Sequence, residues 1–139
     1  MKIVTTDGFA LNPGDLNWDT IRGLGELQIH ERTTKEEIIE RCIDAEIVLT
    51  NKVPFSSETI KQLPKLKLIC VLATGYNIID TEAAREQGIT VCNVPDYSSS
   101  SVAQHTFAFI LELVNQIGLH SESVHRGDWV NCKDFSYSL

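Results

Sequence analysis

An α/β fold built on a parallel sheet is what this sequence predicts, and three observations predict it. Short apolar runs of strand length alternate with stretches of helical periodicity at intervals of roughly ten to fifteen residues. The clearest run, Leu66 to Leu72, is apolar apart from Lys67 rather than alternating, as strands buried on both faces are. The intervening segments carry helix start and stop signals, Asp80-Thr81-Glu82 before one and Gly88 after it.

Taken in order, Ile3-Val4-Thr5-Thr6 reads as a first strand, ended by the turn pair Asp7-Gly8. Asp15 or Asn17 is placed to cap a helix carrying Leu16, Ile21 and Leu24. Gly23-Leu24-Gly25 is the only Gly-x-Gly in the chain, with Gln28 where a third glycine of a dinucleotide fingerprint would stand. It follows a helix and precedes a strand, the reverse of the fingerprint's order, so it reads as a turn. Leu27 to His30 is the second strand. Thr33 and Glu36 form a capping box ahead of a helix with Ile38, Ile39, Cys42 and Ile43 on its apolar side. Ala45 to Leu49 is the third strand, which places Asn51 and Lys52 at its carboxyl end. As a polar loop lip and as ligand contacts, the two are about equally well explained. Ser56 or Ser57 with Glu58 opens a short helix that Pro64 stops. Leu66 to Leu72 is the fourth strand, Asp80-Thr81-Glu82 starts the next helix, and Ile89 to Cys92 is the fifth strand. Right-handed crossovers between such units give a flavodoxin-like three-layer α/β/α domain over residues 1–100.

Composition narrows the function classes. A chain of 139 residues with 42% hydrophobic content buries one core. A net charge of −7 argues against nucleic acid or an anionic membrane as partner. Any bound anion must therefore be held by local geometry. Cys42, Cys70, Cys92 and Cys132 form no C-x-x-C pair, which removes the metal and redox-motif readings. Cys70 and Cys92 fall in strand runs and read as small core residues. With no signal peptide and no apolar stretch near ~18 residues, a soluble cytoplasmic protein is expected.

The loop Ala73-Thr74-Gly75 interrupts the fourth strand at its carboxyl end, where open α/β sheets bind ligands. A glycine there lets the backbone approach a ligand and lets consecutive N–H groups converge on an anion. Downstream, Asn93-Val94-Pro95-Asp96-Tyr97 and the serines 98–101 turn the fifth strand into a helix, with Ser101 and Gln104 as a capping box. The serines read as caps and turn formers, since no Gly-x-Ser-x-Gly surrounds them. From Ser101 to Ile117 the apolar positions spread over an arc of about 200°, too wide for one buried face. His105 shares the polar stripe with Gln104, Glu112 and Asn115, and His120 and His125 stand on different faces, so no histidine is assigned to catalysis or to a metal.

The segments Leu72 to Asn77 and Asn93 to Thr106 resemble the substrate-side motifs of the D-2-hydroxyacid dehydrogenase family, most closely its glycerate dehydrogenase (hydroxypyruvate reductase) members. The resemblance implies that the N–H groups of Thr74 and Gly75 hold a substrate carboxylate. It also implies that Val102, with its neighbours Ala103 and Gln104, lies on the nicotinamide side of an NAD or NADP cofactor. The substrate is then a small 2-hydroxy or 2-oxo acid, with glycerate and hydroxypyruvate foremost. Asn51 and Lys52 are the further substrate-side candidates.

In the resembled family the acid–base histidine, its carboxylate partner and the substrate arginine lie beyond the part that matches this chain. Residues 101–139 accordingly correspond to a linking helix and a return arm with Trp129, leading toward a nucleotide-binding domain that is absent here. The expectation is a fragment without catalytic residues and without turnover, paired as a homodimer through its linking helix. Two other classes use a related scaffold: a corepressor-like regulatory protein that binds the dinucleotide, and a stand-alone receiver-like module. The second needs a phosphate-accepting aspartate where Asn51 stands.

Overall fold

The computed structural model describes residues 1–132, and divides into two compact units, one over Met1–Asp96 and one from Tyr97 onward. Residues 133–139, the last part of the expected return arm, lie outside the described residues.

The first unit holds a five-stranded sheet in the order β2-β1-β3-β4-β5. Its strands are β1 (Lys2–Thr5), β2 (Glu26–Ile29), β3 (Ile47–Thr50), β4 (Leu68–Val71) and β5 (Thr90–Cys92), and every pairing is parallel. Parallel neighbours require crossovers, and short helices supply them: α1 (Gly8–Leu11), α2 (Asp19–Arg22), α3 (Ile38–Cys42), α4 (Ser57–Lys61) and α5 (Thr81–Glu86). This is the flavodoxin-like arrangement, with the sheet reversing direction of growth between β1 and β3.

Alternation along the strands sends Val4, Val48, Ile69 and Val71 to one face, where they meet Ile38 and Cys42 of α3, Ile60 of α4 and Ala84 of α5. Phe55 and Leu63 complete this core, each almost wholly buried. Each such aliphatic or aromatic side chain removed from water contributes roughly 1.5–3 kcal/mol, so this face dominates the stability of the unit. On the opposite face, Ile3, Thr5 and Leu49 are buried, Cys70 is half-buried and Cys92 is exposed. Cover on that face thins toward β5, which corrects the reading of both cysteines as core residues.

The local signals are realised unevenly. Ser56 Oγ accepts the N–H of Thr59 at 3.3 Å and caps α4. Asp80 Oδ1 accepts Ala83 N–H at 3.0 Å and caps α5, which Gly88 follows at φ +69°, a left-handed position that suits glycine. The box ahead of α3 is shifted by one residue: Glu37 Oε2, not Glu36, reaches back to Thr34 N–H at 2.8 Å. The helix expected around Leu16 to Leu24 shrinks to the four residues of α2, leaving Leu16 and Leu24 exposed. Asn17 Oδ1 accepts Asp19 N–H at 3.2 Å without being the capping residue. Gly23-Leu24-Gly25 is a turn, as expected. A Cβ on Gly25 would collide with the Met1 carbonyl, so close backbone approach explains that glycine.

The second unit is helical: α6 (Ser99–Asn115), α7 (Ile117–His125) and α8 (Asp128–Asn131). The expected Ser101–Gln104 capping box is not formed. Helix α6 begins two residues earlier, after Ser98, without a side-chain cap. The long helix is also broken: Gln116 stands at φ 48°, ψ 45°, separating Ile117 from α6. Glu112 stitches this corner, its carbonyl accepting Gln116 N–H at 2.8 Å and its carboxylate Gly118 N–H at 3.1 Å. No residue of α6 is buried, and Phe107, Phe109, Leu113 and Val114 are each at least 60% exposed.

Candidate functional site

The carboxyl ends of β1, β3, β4 and β5 converge on one edge, and hydrogen bonds between the loops lace it together. At β1, the chain leaves the strand through Thr6 and Asp7, both buried. Asp7 was expected to form a simple turn with Gly8. Instead its carboxylate crosses to the loop after β3, where both oxygens accept Asn51 N–H at 3.1 and 3.0 Å. Oδ2 also accepts Lys52 N–H at 2.5 Å. Thr6 Oγ1 donates to Asp7 Oδ1 at 3.2 Å. Carboxylate acceptors make stronger bonds than neutral ones, so this buried anion is well satisfied and the loop is tightly held. Gly8 N–H donates to the His30 carbonyl at 2.8 Å, and a Cβ on Gly8 would strike Ile29 at 2.7 Å.

At β3, Thr50 Oγ1 donates to the Val53 carbonyl at 3.2 Å, and the Thr50 carbonyl accepts Leu72 N–H at 2.8 Å. Phe55 N–H donates to the Ile78 carbonyl and Asp80 N–H to the Phe55 carbonyl, each at 2.9 Å. The loops after β3 and β4 therefore run side by side. At β5, Asn93 Nδ2 donates to the Thr74 carbonyl at 2.8 Å, Thr74 Oγ1 to the Val94 carbonyl at 3.2 Å, and Val94 N–H to the Ala73 carbonyl at 3.1 Å.

These bonds leave Thr74 with its hydroxyl and carbonyl engaged and its N–H turned to no described residue. Gly75 N–H also donates to no described residue, and both residues are exposed. Two successive amides unpaired at a strand's carboxyl end form a pair of donors that an anion can accept from. The glycine is not demanded by the chain itself. Its φ is not left-handed, and a Cβ would meet only Asn77 Oδ1 at an ordinary 3.5 Å.

The other sequence candidates divide. Asn51 and Lys52 lie on the same edge, but their N–H groups are taken by Asp7, which leaves only their side chains for a ligand. Lys52, Arg32 and Lys35 surround a cleft of about 240 Å³ at the β1–β3 reversal, with Asp7 and Glu31 also in its wall. Val102 is on α6, in the second unit, and 62% exposed. Its carbonyl accepts Thr106 Oγ1 at 2.9 Å. Asp7 is the residue that sequence reasoning missed. A buried aspartate after a first strand carries no local signal when its partners are 44 and 45 positions away.

Titratable groups add little reactive chemistry to this edge. His30 is held below the usual imidazole range by burial and by the nearby Arg41 guanidinium, against a smaller pull from Glu37. Burial pushes the Cys42 thiol up to about 12. Among the described residues no group of three histidine, cysteine or carboxylate side chains is arranged to hold a metal, and no helix is long and apolar enough to cross a membrane. The lone Gly-x-Gly packs Gly25 against the Met1 carbonyl, and no strand-to-helix turn carries the fingerprint.

Comparison with known proteins places relatives beside this chain. The family described as D-isomer specific 2-hydroxyacid dehydrogenase, catalytic domain, matches residues 10–133. A hydroxypyruvate reductase from Blautia hydrogenotrophica is 44% identical over 140 residues, covering 99% of this chain and 44% of that protein. A glycerate dehydrogenase from Methylorubrum extorquens is 46% identical over 113 residues, covering 81% of this chain and 36% of that protein. The crystal structure of a D-lactate dehydrogenase from Aquifex aeolicus complexed with NAD and lactic acid superimposes with a TM-score of 0.73 at 25% identity, covering 100% of this chain and 39% of that one. The chain thus spans less than half the length of the proteins it matches.

Proposed function

The chain belongs to the D-isomer specific 2-hydroxyacid dehydrogenase family, and from that premise we propose that it forms the substrate-side part of a nicotinamide-dependent enzyme acting on a small 2-oxo or 2-hydroxy acid. Hydroxypyruvate and glycerate are the substrates the relatives' names favour. The observation that carries the reading is the pair of unengaged amides at Thr74 and Gly75, beside a glycine whose missing Cβ clears space rather than relieving the backbone.

In this reading the two N–H groups bind the substrate carboxylate and fix which way its carbonyl carbon faces. Asn93 and Val94 hold that loop against β5, and Asp7 holds the neighbouring Asn51–Lys52 loop in place. The Lys52 ammonium adds positive charge to an edge whose chain is acidic overall. NAD or NADP, when bound, supplies or accepts the hydride. Val102 is the residue of this chain assigned to the cofactor's side. The phosphate cradle and the acid–base histidine belong to sequence outside these 139 residues, so the chain by itself does not turn over.

Homodimerisation through α6 and a cytoplasmic setting complete the proposal. The apolar residues exposed around α6 require cover that the described residues do not provide, and a second copy is the partner proposed. The functional test pairs two samples: the full-length protein and this chain, each assayed for NADH- and NADPH-dependent reduction of hydroxypyruvate. Turnover by the first alone is expected. Turnover by the pure chain, or none by the full-length protein with any small 2-oxo acid, contradicts the assignment.

A further inference from the structure

Cys70 and Cys92 are 22 residues apart in sequence and read there as small core residues. The parallel register of β4 and β5 sets them directly opposite each other, on the same face of the sheet. Their sulfurs are 3.3 Å apart, with the Cys92 thiol donating to Cys70 Sγ. Adjacent strands hold facing Cα atoms about 4.8 Å apart, inside the range of roughly 4.4–6.8 Å that a disulfide accepts. Both thiols are free, Cys92 is exposed and Cys70 is half-buried. Cys92 also contributes to the wall of a cleft of about 580 Å³ beside β5, together with Arg85, Tyr76 and Asn93.

We propose that Cys70 and Cys92 form a reversible dithiol–disulfide site, oxidised by small anionic disulfides of the glutathione class that enter the cleft beside β5. The exposed Cys92 is the attacking group and Cys70 the resolving one. Cys92 loses its proton, and its thiolate attacks one sulfur of the small disulfide. That S–S bond breaks, and the departing thiolate takes up a proton. Cys70 then loses its proton and attacks Cys92 Sγ, closing the protein disulfide and expelling the second small thiol. Two electrons and two protons pass from the protein pair to the small disulfide, which leaves as two thiols. The Cys70 thiol is pushed up to about 12 by burial and by its bond to Cys92, and capping Cys92 removes the second of these causes. The cleft's Arg85 offers a counter-charge to the carboxylates of such an oxidant.

The site is independent of the substrate assignment, although it sits next to the same loop. Asn93, which follows Cys92, is the residue that holds the Thr74 carbonyl. A bridge at this point pins β5 to β4 just before that contact.

The test is mass spectrometry of the 139-residue chain, equilibrated against graded ratios of oxidised to reduced glutathione and quenched with iodoacetamide in denaturant, so that buried thiols react too. Peptides bearing Cys70 and Cys92 should become cross-linked with loss of two hydrogens, while Cys42 and Cys132 are alkylated. Dithiothreitol should restore both thiols. In Cys70→Ser the reaction should stop at a glutathione adduct on Cys92, and in Cys92→Ser Cys70 should remain a thiol. A stable glutathione adduct on Cys92 of the wild-type chain, a bridge between two chains, or both thiols still alkylated at the most oxidising ratio would each overturn the proposal.

Discussion

Both carboxylate oxygens of Asp7 accept the backbone N–H of Asn51, at 3.1 and 3.0 Å, so the end of β1 holds the loop that follows β3. A third bond, from Lys52 N–H, makes this carboxylate the anchor of one half of the ligand edge. The other half, at Thr74 and Gly75, is held by Asn93 and Val94 just after β5, and its own amides donate to no described residue.

Replacing Asp7 by Ala strands two backbone donors that the carboxylate now satisfies. Hydrogen bonds to charged groups are worth roughly 1.5–3 kcal/mol each, and the freed loop recovers part of that by meeting water. A loss of about 2–4 kcal/mol in urea unfolding is expected. Asp7→Glu should not rescue it, because a longer side chain cannot present both oxygens to the same two amides.

Two glycines predict opposite outcomes. Gly75→Ala meets only an ordinary contact and leaves stability unchanged or raises it by about 0.4–1 kcal/mol through the unfolded state. Gly25→Ala drives a Cβ into the Met1 carbonyl and should destabilise the pairing of β1 with β2. Thermal unfolding of the two variants side by side checks this.

His30 gives the chain a pH dependence of known sign. Its pKa in the folded chain lies below the ordinary imidazole value of 6.5, mainly because burial disfavours the imidazolium. Above 6.5 the ring is neutral in both states and has no effect. As pH falls below 6.5 the unfolded chain binds the proton first, and stability drops until the folded ring titrates too. Proton NMR titration should place the folded His30 pKa below 6.5, and His30→Gln should flatten this part of the stability profile.

Light scattering after gel filtration at micromolar concentration tests the proposed pairing, with a dimer of the 15.5 kDa chain expected. Phe109→Glu with Val114→Glu places charge on two positions of α6 that are 60% and 73% exposed and should weaken that dimer. Gln104→Ala on the same helix should not.

Much of this fold was legible because its signals are local. Apolar runs of strand length, the Asp80 and Ser56 caps and Gly88 act within a few residues of themselves, and the structure bears them out. What escaped was set by long-range partners. Asp7 reads as a turn former until β3 is placed beside β1. Cys70 and Cys92 read as core until their strands pair at an edge where cover is thin. The break at Gln116 falls two residues before Gly118, which the sequence reading did not use, and Glu112 supplies its closing contacts. The Thr74–Gly75 loop could be found from its place after a strand, but its open amides required the neighbouring hydrogen bonds to be known.

The carboxylate cradle is tested most directly by the catalytic efficiency of the full-length protein toward hydroxypyruvate when Gly75 is changed to Val. A branched side chain there fills the space in front of the two amides while their backbone stays as it was. Losing about 2 kcal/mol of transition-state binding lowers kcat/KM roughly thirtyfold. Thr74→Ser, which keeps both N–H groups and the hydroxyl bond to Val94, should stay close to wild type. A Gly75→Val enzyme with wild-type kcat/KM would contradict the account and move the carboxylate to another loop.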